Sequence, residues 1–221
     1  MTLTMNKRVV ITGVGIVSSI GMGVDAFWGN LLAGKSGISE VELFDTTEYP
    51  YHKAGQIKSF QPEKYIDKDK IRDLSRASQF AVVASLFALK DAGINKKSIK
   101  SVTTIVGTTM ANVESLEQID KHWLSSGEDD IWAKNVRQYP GFNLANSIGY
   151  YLGLKGRTYT IPTACAAGNY CIGLGFDLIR RGKSDIVIAG GADPLGRTNF
   201  TGFSRLVAMA PELCQPFDKN R

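Results

Sequence analysis

Four short runs of β-branched and apolar residues recur along the chain, with helix-length segments between them. Arg8–Thr12 (RVVIT), Val102–Val106 (VTTIV), Thr158–Ile161 (TYTI) and Asp185–Ala189 (DIVIA) have the length and near-continuous apolar character of buried strands. The intervening stretches Asp25–Ala33, Ser75–Ala92, Phe142–Leu152 and Ala166–Arg181 carry apolar residues at helical spacing. Ser75–Ala92 and Ala166–Arg181 stop at glycine, Gly93 and Gly182, the residue that most easily closes a helix C-terminus. Strands alternating with helices predict an α/β layered domain around a largely parallel sheet. The more polar stretch from Met110 to Tyr139 reads as a helical excursion above that sheet.

Composition narrows the function classes. With 221 residues, 43% of them hydrophobic, the chain fits one large domain or two small ones with a well-formed core. No apolar run reaches the ~18 residues of a membrane span. The opening MTLTMNKRVVITGVGIV has a basic pair before an apolar stretch, but Thr12 and Gly13 break that stretch and no cleavage site follows. It reads as a first buried strand and not as a signal peptide, so the expected location is cytoplasmic. Three cysteines without CxxC spacing suggest reduced thiols, and with only His52 and His122 beside them they predict no metal site. The net charge of +5 is spread along the chain without arginine blocks, which argues against nucleic-acid binding.

The glycines after the first run invite a dinucleotide-binding reading. That fold requires G-x-G-x-x-G, yet Gly13 and Gly15 are followed by Ser18 at the third position. Their expected role is a tight turn and close packing against a neighbouring strand.

The segment TIPTACAAGNYCIGLG, residues 160–175, holds two cysteines at a strand-to-helix junction. If a helix begins near Cys165, Cys171 lies about 9 Å along its axis and about 120° around it. A disulfide requires Cα atoms within about 7 Å, so the two cannot pair. Cys171 falls on the side of Leu174 and Leu178 and is expected to be a buried small hydrophobe. Cys165 stands at the first turn among small residues, where unpaired backbone N–H groups and the helix dipole favour a thiolate and can stabilise an oxyanion. Position alone leaves it either a nucleophile or a structural cysteine.

RVVITGVGIVSSIG at the start, LLAGKSGI at 31–38, IVGTT at 105–109, TACAAG at 163–168, DIVIAGGAD at 185–193 and QPFDKNR at the end occur in this order. Together they resemble the N-terminal half of a β-ketoacyl-acyl carrier protein synthase of the elongating type II kind. The resemblance runs from about residue 6 to residue 221. It implies a layered α/β/α thiolase-like fold, of which residues 1–221 form the N-terminal half. It also implies an acyltransferase that loads an acyl chain from carrier protein onto a thiol. Decarboxylative Claisen condensation with malonyl-carrier follows, in fatty acid or polyketide synthesis.

Carried over position by position, the resemblance makes Cys165 the acyl-accepting nucleophile. Met110, in VGTTMAN, falls where such enzymes limit the depth of the acyl pocket, and Phe203, in TGFSR, where an aromatic lines it. Core filling is the alternative for both. Lys68 and Arg72, in KYIDKDKIRDLSR, fall on commonly basic positions that meet the acidic acyl carrier protein. Asp67, Asp69 and Asp73 soften that patch, and a solvated mixed-charge helix start is the alternative. No cofactor of its own is implied, since substrates ride on the phosphopantetheine of the carrier. The implied partners are acyl carrier protein, a second ketosynthase subunit in a homodimer or heterodimer, and the C-terminal half of the fold.

The family's decarboxylation histidines, its assisting lysine and its gating loop belong to that second half. Neither His52 nor His122 falls on such a position. The chain ends within a motif that normally continues, so the sequence reads as one piece of a longer protein or of a split enzyme. Two other functions remain open: a thiol acyltransferase that never condenses, and a chain-length-setting subunit of a ketosynthase heterodimer.

Overall fold

The computed structural model describes residues 7–95, 99, 101–127, 133–210 and 212–219. Its centre is a three-stranded parallel sheet of β5 (Thr103–Gly107), β6 (Thr158–Ile161) and β7 (Val187–Gly191), in the order β6-β5-β7. Ile105 stands opposite Tyr159 on one side and Ala189 on the other. Two small antiparallel pairs precede it: β1 (Val17–Ser18) with β2 (Gly21–Met22), and β3 (Ile38–Glu40) with β4 (Lys53–Gly55). The helices are α1 (Val24–Leu32), α2 (Lys68–Ile71), α3 (Arg76–Asp91), α4 (Val113–Ser126), α5 (Ala133–Gln138), α6 (Asn143–Leu152), α7 (Ala167–Arg180) and α8 (Arg197–Arg205).

The sheet is layered between helices, as the alternation predicts. On one face Ile188 and Val106 pack with α3 and α6 around Val82, Val83, Leu144 and Ile148. On the other, Gly175 of α7 lies against Val187 and Ala189. Every residue of β5 is buried, because it has a strand on each edge and a helix on each face. Full burial of a side chain such as Ile105 contributes about 1.5–3 kcal/mol.

Helix ends follow their sequence signals. The Ser75 side chain accepts the N–H of Ser78 and caps α3, and Gly93 closes that helix in left-handed backbone at φ 65°. Gly182 does the same after α7, at φ 67°. The excursion between 110 and 139 is helical where described, as α4 and α5; its residues 128–132 lie outside the described set, as do Asn220 and Arg221 of the terminal motif. No described helix is long and apolar enough to cross a membrane.

One expected strand is absent. Arg8–Thr12 makes no ladder, and Val10 and Ile11 are 61% and 82% exposed. The segment leans on α3: a Cβ at Gly13 would stand 2.2 Å from the carbonyl oxygen of Ala88, and one at Gly15 1.8 Å from that of Ala84. The neighbour that requires these glycines is therefore a helix and not a strand. Val14 N–H donates to Asp91 Oδ2 at 2.8 Å, and Lys7 pairs with Asp185 at 2.7 Å. Between this segment and β7 runs a cleft of about 560 Å³, walled by Val10, Val14, Ile172, Phe176 and Ala189 among others. The physical reason for the missing ladder is that cleft: no strand edge lies within reach of residues 8–12.

Candidate active site

Strand β6 ends at Ile161, and a 3-10 turn at Ala164–Ala166 leads directly into α7. Cys165 sits at the middle of that turn and is exposed. The turn is forced: Ala164, just before the cysteine, has φ 52°, left-handed backbone that costs a non-glycine residue of order 1–3 kcal/mol. Cys165 thus precedes the helix proper by two residues, slightly earlier than the sequence suggests. The N-terminus of the 14-residue α7 lies immediately beyond it, the Ala167 N–H donating to Ala164 O within the turn.

The C-terminal ends of all three parallel strands meet here, where open α/β sheets place their ligand sites. A Cβ at Gly107, the last residue of β5, would stand 2.5 Å from the carbonyl carbon of Ala167, so only glycine lets β5 reach the start of α7. At Gly191, the end of β7, it would stand 3.7 Å from the Cα of Gly168. The backbone ties these ends together, Thr108 N–H donating to Ile161 O at 3.1 Å and Ala192 N–H to Gly107 O at 3.0 Å.

Met110 follows on the turn leaving β5 and is 38% exposed; Phe203, on α8, is 43% exposed. Neither is core filling in this structure. On α8 that task falls to Phe200, 3% exposed and edge-to-face with Phe44 and Tyr49. Lys68 opens the short helix α2 and Arg72 follows it, both exposed. Arg72 has Asp69 at 3.9 Å, and the neighbouring Lys70 has Asp67 at 3.3 Å. The Arg72 carbonyl accepts from Gln138 Nε2 at 3.0 Å, and Gln138 O accepts in turn from Asn112 at 2.8 Å, two residues after Met110. The patch and the Met110 turn therefore share one buried polar bridge.

The other cysteine of the motif is fully buried, and desolvation pushes its thiol up to about 11. Cys171 is inert packing, as helical geometry requires. His52 lies in a loop with Nδ1 3.2 Å from Thr46 Oγ1, and His122 lies on α4. Among the described residues no group of three or more His, Cys, Asp or Glu is placed to hold a metal ion.

Sequence reasoning missed two carboxylates. Asp193 lies two residues beyond β7 and accepts from the Met110 turn. Glu114, on α4, accepts the N–H of Arg76 at 2.8 Å at the start of α3; burial holds its carboxyl above the usual range despite those donors. Asp193 stands within the quoted DIVIAGGAD run, but nothing in spacing shows that its partner is 85 residues away.

The family description "Beta-ketoacyl synthase, N-terminal domain" matches residues 6–221. The chain belongs to the β-ketoacyl synthase family. It is 34% identical over 227 residues to the 3-oxoacyl-[acyl-carrier-protein] synthase 2 of Staphylococcus aureus (strain COL), a match covering 99% of this chain and 55% of that protein. Among solved structures, the ishigamide ketosynthase/chain length factor superposes with a TM-score of 0.92 at 35% identity, over 96% of this chain and 54% of that one. A type II PKS acyl-carrier protein in complex with its ketosynthase bound to the hexaketide gives a TM-score of 0.79 at 26% identity, over 95% and 51%. The α/β architecture is thus that of the N-terminal half of the thiolase-like ketosynthase fold. The chain spans about half the length of the relatives it matches.

Proposed function

We propose that the chain supplies the acyl-accepting half of a β-ketoacyl-acyl carrier protein synthase, with Cys165 as the nucleophile. The observation that carries this is the exposed thiol on a forced turn, at the meeting point of three strand ends and the start of α7. Attack of the Cys165 sulfur on a carrier thioester forms a new thioester and expels the carrier's pantetheine thiol. The positive end of the α7 dipole, two residues beyond Cys165, favours the negative charge of the tetrahedral oxyanion. Met110 and Phe203, both partly exposed, receive the acyl chain; Lys68 and Arg72 meet the acidic carrier protein.

Condensation requires decarboxylation of malonyl-carrier, for which no histidine stands in the described site. That chemistry belongs to the half of the fold that relatives carry beyond this span. The open cleft supports such a partnership. Thr103 N–H donates to Ile186 O and Ala192 N–H to Gly107 O, so even-numbered residues of β7 face β5. Val187, Ala189 and Gly191 therefore turn their N–H and C=O groups toward the cleft. Among the described residues no backbone hydrogen bond is made by residues 8–13 on its other side. An extended strand from the second half, inserted there, would satisfy both rims and cover Val10, Ile172 and Phe176.

The test is formation of 3-oxoacyl-carrier from acyl-carrier and malonyl-carrier by the full-length protein. The proposal expects turnover that is abolished in Cys165→Ala. Turnover that survives this substitution would refute it, and acyl transfer without malonyl decarboxylation would favour the non-condensing acyltransferase.

A further inference from the structure

The turn that carries Met110 is held from one side by a single carboxylate oxygen. Asp193 Oδ1 accepts from Thr108 Oγ1 at 2.7 Å, from Thr109 N–H at 2.8 Å and from Met110 N–H at 3.2 Å. Thr108 Oγ1 in turn accepts the N–H of Ala111 at 2.7 Å. Ala111 adopts left-handed backbone, φ 50°, which an alanine holds only when its surroundings fix it. On the far side Asn112, fully buried, accepts from Ser75 Oγ at 2.5 Å and donates to Gln138 O at 2.8 Å. The turn is therefore clamped at both ends, and the front clamp joins the end of β7 to the end of β5 directly beside the nucleophile's helix.

We infer that Asp193 is a positioning residue that sets acyl-chain selectivity by fixing the Thr108–Ala111 turn and with it Met110. The inference rests on Met110 lining the acyl pocket. The physical ground is that three donors on one charged acceptor make a rigid joint: hydrogen bonds to an ionised oxygen are shorter and about twice as strong as neutral ones. Without that acceptor, the Thr108 hydroxyl that holds the Ala111 N–H loses its own anchor, and the Thr109 and Met110 N–H groups lose theirs. Met110 then no longer has one position, and a pocket wall that moves cannot discriminate by length. Asp193 has no direct part in the chemistry.

Three variants, Asp193→Ala, Asp193→Asn and Thr108→Val, test this with two readouts. The first is hydrogen exchange of the Thr109 and Met110 amides, which needs no substrate. Losing bonds to a charged acceptor should speed exchange roughly tenfold or more in Asp193→Ala, while the β5 amides stay unchanged. The second is loading of Cys165 by hexanoyl- and palmitoyl-pantetheine thioesters, followed by intact mass. The ratio of the two rates should change by roughly fivefold or more in Asp193→Ala, a modest loss of discrimination of the size a pocket wall gives. Asp193→Asn, whose amide oxygen still accepts but carries no charge, and Thr108→Val should both fall between wild type and Asp193→Ala. Iodoacetamide alkylation of Cys165 should stay near wild type throughout, showing an intact thiol and turn. Unchanged exchange at 109–110, or an unchanged loading ratio in Asp193→Ala, overturns the inference. Failure of wild-type protein to load either thioester overturns the proposed function instead, and the exchange readout still decides whether Asp193 holds the turn.

Discussion

Two stretches of this chain read alike and end up in opposite conditions. VTTIV, most of which lies in β5, and RVVIT at the start are both short, β-branched and followed by glycine. Ile105 in the first is fully buried; Ile11 in the second is 82% exposed. The residues do not differ in kind, so the difference lies in what flanks them. β5 has β6 and β7 on its edges and α6 and α7 on its faces. The N-terminal run has α3 beneath it and an open cleft beside it. A strand-forming sequence states a demand for two edges, and this span of the fold meets it at one place and not at the other.

The largest expected contrast is in backbone protection. The Ile105 amide should exchange at least ~1000-fold more slowly than those of Val10 and Ile11, because only the first opens with the core. Comparable protection at both sites would mean that the N-terminal run is already paired, breaking the comparison. Truncation should show the same asymmetry in energy. Ile105→Ala should cost about 2–5 kcal/mol in urea unfolding, and Ile11→Ala no more than about 0.5 kcal/mol. If an added strand fills the cleft as proposed, the cost of Val10→Ala should rise toward the core range, which sharpens the contrast into a test of that proposal.

Glycines on the two sides of the sheet give a smaller effect. Gly107→Ala would force a Cβ to 2.5 Å from the Ala167 backbone, an overlap worth about 1–3 kcal/mol. Gly190 faces open space, and Gly190→Ala should be neutral or stabilise by about 0.5 kcal/mol. Equal costs by thermal unfolding would show that the two strand ends are not packed as described.

The last effect appears only at alkaline pH. The Cys171 thiol is raised from its ordinary value of 9.0 to about 11, so the folded state holds its proton where the unfolded state has lost it. Its contribution to stability is complete below pH 9 and falls as pH rises from 9 to 11. Cys171→Ala should remove that part of the alkaline decline in denaturant midpoint; an unaltered profile would place the titrating group elsewhere.

Much of the layered core was legible because its periodicities are strong. Thr158–Ile161 is a strand with the expected bounds, α3 and α7 end at the expected glycines, and Cys171 is buried as helical geometry demands. The failure at Arg8–Thr12 has a definite cause: apolar alternation reports what a segment can pair with, not whether the partner is present. α8 was not anticipated, since Arg197–Arg205 (RTNFTGFSR) has only Phe200 and Phe203 as large apolar side chains amid polar residues. In the candidate site, Cys165 was visible through its small neighbours and its place before a helix. Asp193 was not, because its effect arises only when the ends of β5 and β7 come side by side.

The central claim is that one thiol of three is built to accept an acyl group. Incubation of the protein with an acyl-carrier thioester, then digestion and mass mapping of Cys165, Cys171 and Cys214, tests it directly. The account predicts an acyl adduct at Cys165, with Cys171 unmodified inside its helix. An adduct confined to Cys214, or none at Cys165 while iodoacetamide still reaches that thiol, would contradict it.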